Sequence, residues 1–194
     1  MFCGSQLLVA YLRPANIDGA LHRRAILKLL VRRFRRQWPN VRIIFRGDSG
    51  FCRWKLMRWC DKHEVGYLIG LPRNARLERW AKPWTETSAT PFAQTNPKQR
   101  LFGEFVYGAE TWDQERRVIV KAEHLDPGPN TRFLVTNLAG SPQGLYDEVY
   151  CQRGDAENRI KEQPLGLFAD RTSCPDFVAN QFRVLRSGAA YLLL

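Results

Sequence analysis

The sequence predicts an α/β fold, and two observations carry this prediction. Residues 41–45 and 66–70 are short apolar runs typical of buried strands, and the segment 51–64 between them has helical spacing. A strand, a helix and a strand at this spacing form a βαβ unit with parallel strands. Further β-rich runs, separated by turn residues, follow at residues 102–107, 116–123 and 131–137. We therefore expect one parallel unit followed by a β-rich stretch.

The composition is that of a strongly basic globular protein. The 194 residues are enough for one domain with a real core, or for one domain with an insertion. Lys and Arg number 30 against 19 Asp and Glu, which gives a net charge of +11. Such an excess favours a polyanionic partner, because basic side chains contact phosphates and release counterions. A ribosomal or membrane-surface protein could show the same total.

The five cysteines predict neither a disulfide framework nor a zinc site, because their number is odd and no two have C-x-x-C spacing. Cys60 and His63 have the spacing of a ligand pair, but no second pair accompanies them. We interpret them as ordinary helix residues. No apolar run approaches the length of a membrane span, and the first residues lack the layout of a signal peptide. We therefore expect a cytoplasmic protein with no membrane partner.

The first helix is predicted to carry a basic face. Residues 6–13 form a short β-rich run that ends at Pro14, and Asn16 or Asp18 can cap a helix that continues to about Trp38. Its non-apolar positions include Arg23, Arg24, Lys28, Arg32, Arg33, Arg35 and Arg36. No acid lies between these like charges, which repel one another. Two interpretations stay open: a solvated helix face, or a surface that binds a phosphate backbone.

Residues 72–100 and the C-terminal region complete the order of elements. Four prolines and a Thr/Ser/Ala-rich middle predict a long loop or insertion at 72–100. Ser141 and Pro142 start the run into a helix at 150–163, and a last helix is expected at 176–194.

The predicted helix at 150–163 carries polar chemistry where a core helix would be apolar. Tyr150, Arg153, Glu157 and Lys161 fall at spacings of three and four, so they share one face. The pattern is typical of a solvated ion-pair ladder, or of a carboxylate held ready for metal and phosphate.

Asp48 is the carboxylate that we pair with Glu157. It follows the strand at 41–45, and in open α/β sheets the working residues lie beyond the carboxyl ends of strands. A two-metal phosphoryl-transfer site needs carboxylates that converge from different elements, because Mg²⁺ prefers oxygen ligands. Taken singly, Asp48 is typical of a turn residue. Glu157 alone is typical of a residue in a surface ion pair, an interaction that contributes about 0.3–0.5 kcal/mol.

Together these motifs resemble DDE-type transposases of bacterial insertion sequences. The Tyr150-x-x-Arg153-x-x-x-Glu157 run is similar to the first three letters of the YREK signature of one large branch. The turn at 46–51, Arg-Gly-Asp-Ser-Gly-Phe, resembles the second aspartate motif of that branch. The resemblance implies a partial RNase-H-like core, a mixed sheet with flanking helices that is interrupted by a β-rich insertion. The implied divisions are an N-terminal part of the core without its first strands at 1–71, a loop and β-rich insertion at 72–140, and C-terminal helices with the third acid at 141–194.

The resemblance also implies the chemistry. Asp48 and Glu157 would be the second and third catalytic carboxylates and would hold two Mg²⁺ or Mn²⁺ ions. Tyr150 and Arg153 would contact transposon-end DNA near the cleaved phosphate. The reaction would be metal-assisted attack by water, and then by a 3′-hydroxyl, on DNA phosphodiesters. The implied partners are transposon ends and target DNA, with a homodimer as the full-length form in a bacterial, nucleoid-associated location.

The sequence departs from the family pattern at two points. Pro164 stands seven residues beyond Glu157, where the signature has a lysine, and Lys161 on the same face is the candidate to replace it. The family's first aspartate belongs on a strand before the run at 6–13, and residues 1–5 contain no acid. We therefore expect a truncated transposase catalytic domain that lacks one metal ligand and is inactive alone.

Three other interpretations stay open. The chain could be a non-catalytic DNA- or RNA-binding remnant that uses the basic face of the first helix. Adhesion through Arg46-Gly-Asp48 is a second, although three residues recur by chance. The reading frame could also make no stable protein, because a core without its first strand leaves an unpaired edge.

Overall fold

A computed structural model of the chain describes residues 1–14, 16–18, 21–95, 100–125, 128–167 and 173–193. They form two compact units, a larger one, Ala20–Tyr150, and a smaller one that joins Met1–Gly19 to Cys151–Leu194. The described helices are α1 (Arg23–Gln37), α2 (Trp54–Lys62), α3 (Ala75–Thr95), α4 (Pro142–Gly144), α5 (Arg153–Leu167) and α6 (Phe177–Leu193). The described strands are β1 (Phe2–Cys3), β2 (Gln6–Leu7), β3 (Ile44–Gly47), β4 (Gly66–Leu71), β5 (Arg100–Tyr107), β6 (Arg116–Leu125), β7 (Gly128–Pro129) and β8 (Arg132–Thr136). None of the helices described above combines the length and the apolar composition that crossing a lipid bilayer requires.

The larger unit is built on a mixed β-sheet. Its strands lie in the order β3-β4-β8-β6-β5, and the short β7 pairs with β6. β3 and β4 are parallel, with Ile44 opposite Gly66, whereas the other pairings are antiparallel. The parallel pair joined through α2 confirms the predicted βαβ unit, and the mixed sheet with flanking helices confirms the α/β class. The β-rich stretch extends this sheet through the pairing of β8 with β4.

The helices of the βαβ region each turn a few apolar side chains at helical spacing into the core. α2 turns Leu56, Met57 and Cys60 into the core, and α1 buries Leu27 and Val31. Burial raises the pKa of the Cys60 thiol to about 12, so this cysteine stays protonated at neutral pH as a small core residue.

A buried arginine, Arg116, connects the sheet to α2. Its side chain is only 2% exposed, and one guanidinium nitrogen lies 3.1 Å from an Asp61 carboxylate oxygen and 3.0 Å from one of Asp113. Its Nε donates to the Tyr67 hydroxyl at 3.1 Å, and a further N–H donates to the Gln114 carbonyl at 3.0 Å. Burial raises the pKa of Tyr67 above its usual range, so the hydroxyl stays neutral. These four partners compensate the cost of burying the charge.

Of the two alternatives predicted for residues 72–100, the long loop is wrong, because most of this segment is helix α3, whereas the insertion stays a prediction. The Asn74 side chain caps the helix by accepting the Leu77 N–H at 2.9 Å. Leu77 is fully buried, and Trp84 lies so close to Gly103 of β5 that an added Cβ would be 2.1 Å from the indole ring. Prolines disfavour a helix interior, but this helix packs a buried face on the sheet, and the packing outweighs their cost.

The strand predicted at residues 6–13 is also wrong in length, because β2 ends at Leu7. The backbone beyond it bonds to a helix side chain instead of a neighbouring strand, since the Leu12 N–H donates to Gln181 Oε1 of α6 at 2.8 Å. In this smaller unit the β1–β2 hairpin packs on α6, where a Cβ added to Gly188 would lie 3.0 Å from Leu7.

The predicted caps of α1 are not used. The helix begins at Arg23, and His22 in front of it has a left-handed φ of 68°. Asn16 and Asp18 precede this position and belong to the smaller unit, whereas α1 belongs to the larger one. The helix thus begins within the larger unit, after both predicted caps.

Candidate active site

Asp48 lies where the sequence predicts it, directly after β3 at the carboxyl end of the parallel pair. Its side chain is exposed, and its carbonyl accepts the Phe51 N–H at 3.0 Å in a tight 3-10 turn, Ser49–Phe51. The buried Arg23 supports this turn by donating to the Gly50 carbonyl at 2.6 Å and by lying 4.3 Å from the centre of the Phe51 ring. A tight turn with a buried support holds the backbone of Asp48 in a defined position.

Gly70 on the neighbouring strand β4 brings the turn close to Tyr150. A Cβ placed on Gly70 would lie 2.9 Å from the Ser49 nitrogen, 3.2 Å from the Asp48 carbonyl carbon and 3.2 Å from the Tyr150 hydroxyl. Because Gly70 has no side chain, the Asp48 turn and the Tyr150 hydroxyl can both approach it near the carboxyl end of β4. Two of the residues predicted for the site, Asp48 and Tyr150, lie together here.

Tyr150 ends a π-helical segment, Leu145–Tyr150, an irregularity that is frequent at functional sites. Its ring is buried and lies 5.7 Å from that of Tyr146. Arg46 of β3 anchors the segment, because its guanidinium donates to the Val149 carbonyl at 2.9 Å. This hydrogen bond engages one nitrogen of the Arg46 guanidinium within the larger unit.

Arg153, Glu157 and Lys161 lie on α5 in the smaller unit. An Arg153 nitrogen lies 2.6 Å from a Glu157 oxygen, and the two side chains are 23% and 52% exposed. This contact is one pair of the ion-pair ladder that the spacing allowed. Lys161 is exposed on the same helix. The pairing of Asp48 with Glu157 stays a prediction.

Comparison with known protein families settles the lineage. Over residues 1–194 the chain matches the family described as transposase DDE domain group 1. The chain belongs to this family. No curated protein matches it. The mixed sheet with flanking helices is consistent with a partial RNase-H-like core of such a DDE transposase, so the resemblance to this class is confirmed.

The Asp48 carboxylate of this DDE transposase fits a divalent metal ion in its chemistry. It is exposed at a strand end, and carboxylate oxygens are the ligands that Mg²⁺ prefers. Within the described parts of the chain, no three acidic, histidine or cysteine side chains are grouped so that they could hold a metal ion. Mg²⁺ is commonly bound through one or two carboxylates together with water and substrate phosphates. A single exposed carboxylate such as that of Asp48 fits this mode of binding.

The basic face of α1 differs from its prediction at one residue, Arg23. This residue is buried, and it precedes the buried Leu27 and Val31 by one and two helical turns. The spacing of four residues places Arg23 on the apolar stripe, a signal that was present in the sequence. The remaining face is exposed at Arg24, Lys28, Arg32, Arg33 and Arg36, and half-buried at Arg35.

Sequence reasoning missed three residues of this site region: Arg23 as support of the turn, Gly70 as the point of close approach, and Arg46 as the anchor of the π-helical segment. Nothing in the local pattern marks the contacts of Gly70 or Arg46, because their partners lie about 20 to 100 residues away in sequence.

Gly70→Ala is expected to disturb the site of this transposase while the sheet stays folded. The new methyl group would lie within 3.2 Å of the Asp48 turn and of the Tyr150 hydroxyl, so one of them has to move. We expect the environment of Tyr150 to change, with a loss of stability of about 1–3 kcal/mol from overpacking. Tyrosine-selective NMR and urea unfolding measure the two effects. The control is Gly154→Ala, since a Cβ at Gly154 meets nothing within 4 Å. Unchanged Tyr150 signals in Gly70→Ala would contradict the close approach.

Proposed function

We propose that this chain supplies the second and third carboxylates, Asp48 and Glu157, of a metal-dependent centre that cleaves and joins DNA at transposon ends. The observation that supports it best is the meeting of the exposed Asp48 turn with the Tyr150 hydroxyl across Gly70. This meeting joins two separate motifs of a chain that belongs to a DDE transposase family.

Each residue has a role that follows from its chemistry. Asp48 and Glu157 would hold Mg²⁺ or Mn²⁺, ions that polarise a phosphodiester and lower the pKa of an attacking water or 3′-hydroxyl. Tyr150, whose ring is buried, would donate from its hydroxyl to a DNA phosphate oxygen. Arg153, which neutralises Glu157 in the absence of DNA, would exchange this partner for a phosphate, and Lys161 would add a second cation. Positioning and charge neutralisation are the contributions of the protein.

We further propose that the chain binds DNA but does not turn over alone, and that the full-length form works as a homodimer. Catalysis in this class uses three carboxylates, of which Asp48 and Glu157 are the two that we assign in this chain. The divisions of the chain at residues 71 and 140 are part of the same proposal.

The test is a DNA cleavage and binding assay with duplexes that carry the ends of the encoding element. In Mg²⁺ or Mn²⁺ we expect binding without strand cleavage. Binding should weaken when Tyr150 is changed to Phe and Arg153 to Gln. If the wild-type chain cleaves the duplex and Asp48→Ala abolishes this cleavage, the function is established and the proposal that the chain is inactive alone is overturned. A chain that does not bind the duplex at any ion concentration would contradict the function.

A second candidate is a non-catalytic DNA- or RNA-binding protein, which the Arg153–Glu157 ion pair favours. It predicts salt-sensitive binding that survives Asp48→Asn and Glu157→Gln, but falls when Arg24, Arg32 and Arg36 are replaced. Metal-dependent binding that requires Asp48 would decide against it.

A further inference from the structure

A groove between α1 and α2 lies in the larger unit, built from neither Asp48 nor Tyr150. Two cavities, of about 600 and 340 Å³, are both lined by Trp59. We call this feature the α1–α2 groove. Its principal cations are Lys28, Arg32 and Arg36 of α1 and Lys55, Arg58 and Lys62 of α2.

The charge of the α1–α2 groove is of one sign. Arg58 is the most nearly compensated of its principal cations, with its Nε 3.9 Å from an Asp113 oxygen. In the part of the chain that the structure describes, no carboxylate forms an ion pair with the other five cations named above. Concentrated like charges repel one another, and a polyanion in the groove would relieve this repulsion.

An aromatic pair gives the groove a second chemical property. The rings of Trp59 and His63 are stacked at a centroid distance of 4.4 Å and an angle of 21°. His63 Nδ1 lies 2.8 Å from the Trp59 carbonyl, which fixes the imidazole in this plane. His63 is exposed and Trp59 half-buried, so the pair forms a ready-made planar surface among cations. Cations that follow a backbone, together with rings that stack on bases, are the features of single-stranded nucleic-acid sites.

We infer that the α1–α2 groove binds unpaired DNA, with a base on the Trp59–His63 stack and flanking phosphates on the cations. The choice of DNA rests on the proposed function. An isolated phosphate would use one or two cations. The cations of α1 that line the groove, from Arg24 in the smaller cavity to Arg36 in the larger, extend over about 18 Å of helix, a length that suits a chain of phosphates. A duplex could contact the cations, but its bases are stacked inside and cannot reach the rings. The groove therefore selects a strand whose bases are free.

The first test uses the wild-type chain and three probes of equal length: single-stranded oligo-dT, its abasic analogue and a duplex. Fluorescence anisotropy measures the dissociation constants. Base stacking predicts that oligo-dT binds about 5-fold to 150-fold more tightly than the abasic strand. Equal affinity for the two strands, or tighter binding of the duplex than of oligo-dT, would overturn the inference. RNA bound more tightly than DNA would overturn the choice of partner.

Variants then assign the binding to the groove. Trp59→Ala should remove the preference for bases, and Trp59→Phe should keep most of it because a stacking ring remains. Arg32→Gln with Arg36→Gln should lower the salt slope, log Kd against log salt, by about 1.4, the value for two single-strand phosphate contacts. The control is Arg73→Gln with Arg79→Gln, which removes the same charge at exposed positions outside both cavities. If the control lowers the salt slope as much as the groove variant does, the binding depends on total charge and not on the groove, and the assignment is contradicted.

The cleavage and duplex-binding assay is run on the same samples, so the two failures can be distinguished. If duplex ends are bound through Tyr150 and Arg153 but oligo-dT binding ignores Trp59, this inference fails and the proposed function stands. If oligo-dT binding depends on Trp59 but the duplex ends are not bound, the proposed function is contradicted and the α1–α2 groove is supported as a single-strand site.

Discussion

Fe²⁺ bound in place of Mg²⁺ is expected to cut the polypeptide beside Asp48 and beside Glu157 in a single reaction. With ascorbate and peroxide, the bound iron releases hydroxyl radicals that react within a short distance of the ion, so the cut positions mark its ligands. The chain is first bound to a transposon-end duplex, because phosphates complete the coordination of such ions. Mass spectrometry of the fragments gives the positions, and excess Mg²⁺ should suppress them.

Variants of the two carboxylates test whether both hold the same ion. Asp48→Asn and Glu157→Gln should each abolish both cuts and weaken Mn²⁺ binding by more than about 100-fold, the upper end of what outer-shell partners cost. Asp155→Asn is the matched control, since this exposed carboxylate lies on the same helix as Glu157. A cut beside Asp48 alone would remove Glu157 from the proposed site, and the absence of both cuts would contradict the metal centre.

Arg116→Met is expected to lower the free energy of unfolding by about 3–5 kcal/mol, the cost of breaking a buried ion pair from one side. The substitution leaves Asp61 and Asp113 without the guanidinium and removes the donor to the Tyr67 hydroxyl. A typical domain has only about 5–15 kcal/mol to lose. Urea unfolding followed by circular dichroism measures the effect.

The control for this change is Lys82→Met, which breaks an ion pair with Glu86 that is 68% and 65% exposed on α3. We expect it to cost less than about 0.5 kcal/mol, as surface pairs usually do. Arg116→Lys should recover only part of the stability, because an ammonium group lacks the planar fork that serves several partners. A loss below 1 kcal/mol for Arg116→Met would show that the network is dispensable.

The sequence predicted the fold best where one local pattern fixes one element. The apolar runs at 41–45 and 66–70 predicted β3 and β4, and the helical spacing between them predicted α2. The prediction of a loop failed at residues 72–100, where the local preference of the sequence and the tertiary packing favour different structures. Prolines and short polar residues there favour a loop, but contacts such as that of Trp84 with Gly103 stabilise α3. Such contacts join residues distant in sequence and leave no local pattern.

For the candidate site, too, some features follow from local sequence patterns and others only from the packing of distant segments. The sequence by itself determined that Asp48 would end a buried strand and that Arg153 and Glu157 would face one another, because strand ends and helical spacing are local properties. Only the tertiary structure decided that Tyr150 lies beside the Asp48 turn, since that meeting depends on Gly70, a third segment of chain. It also decided that α2 adds Trp59 to the cations of α1. Which side chains converge is set by the packing of elements, and no spacing along the chain encodes it.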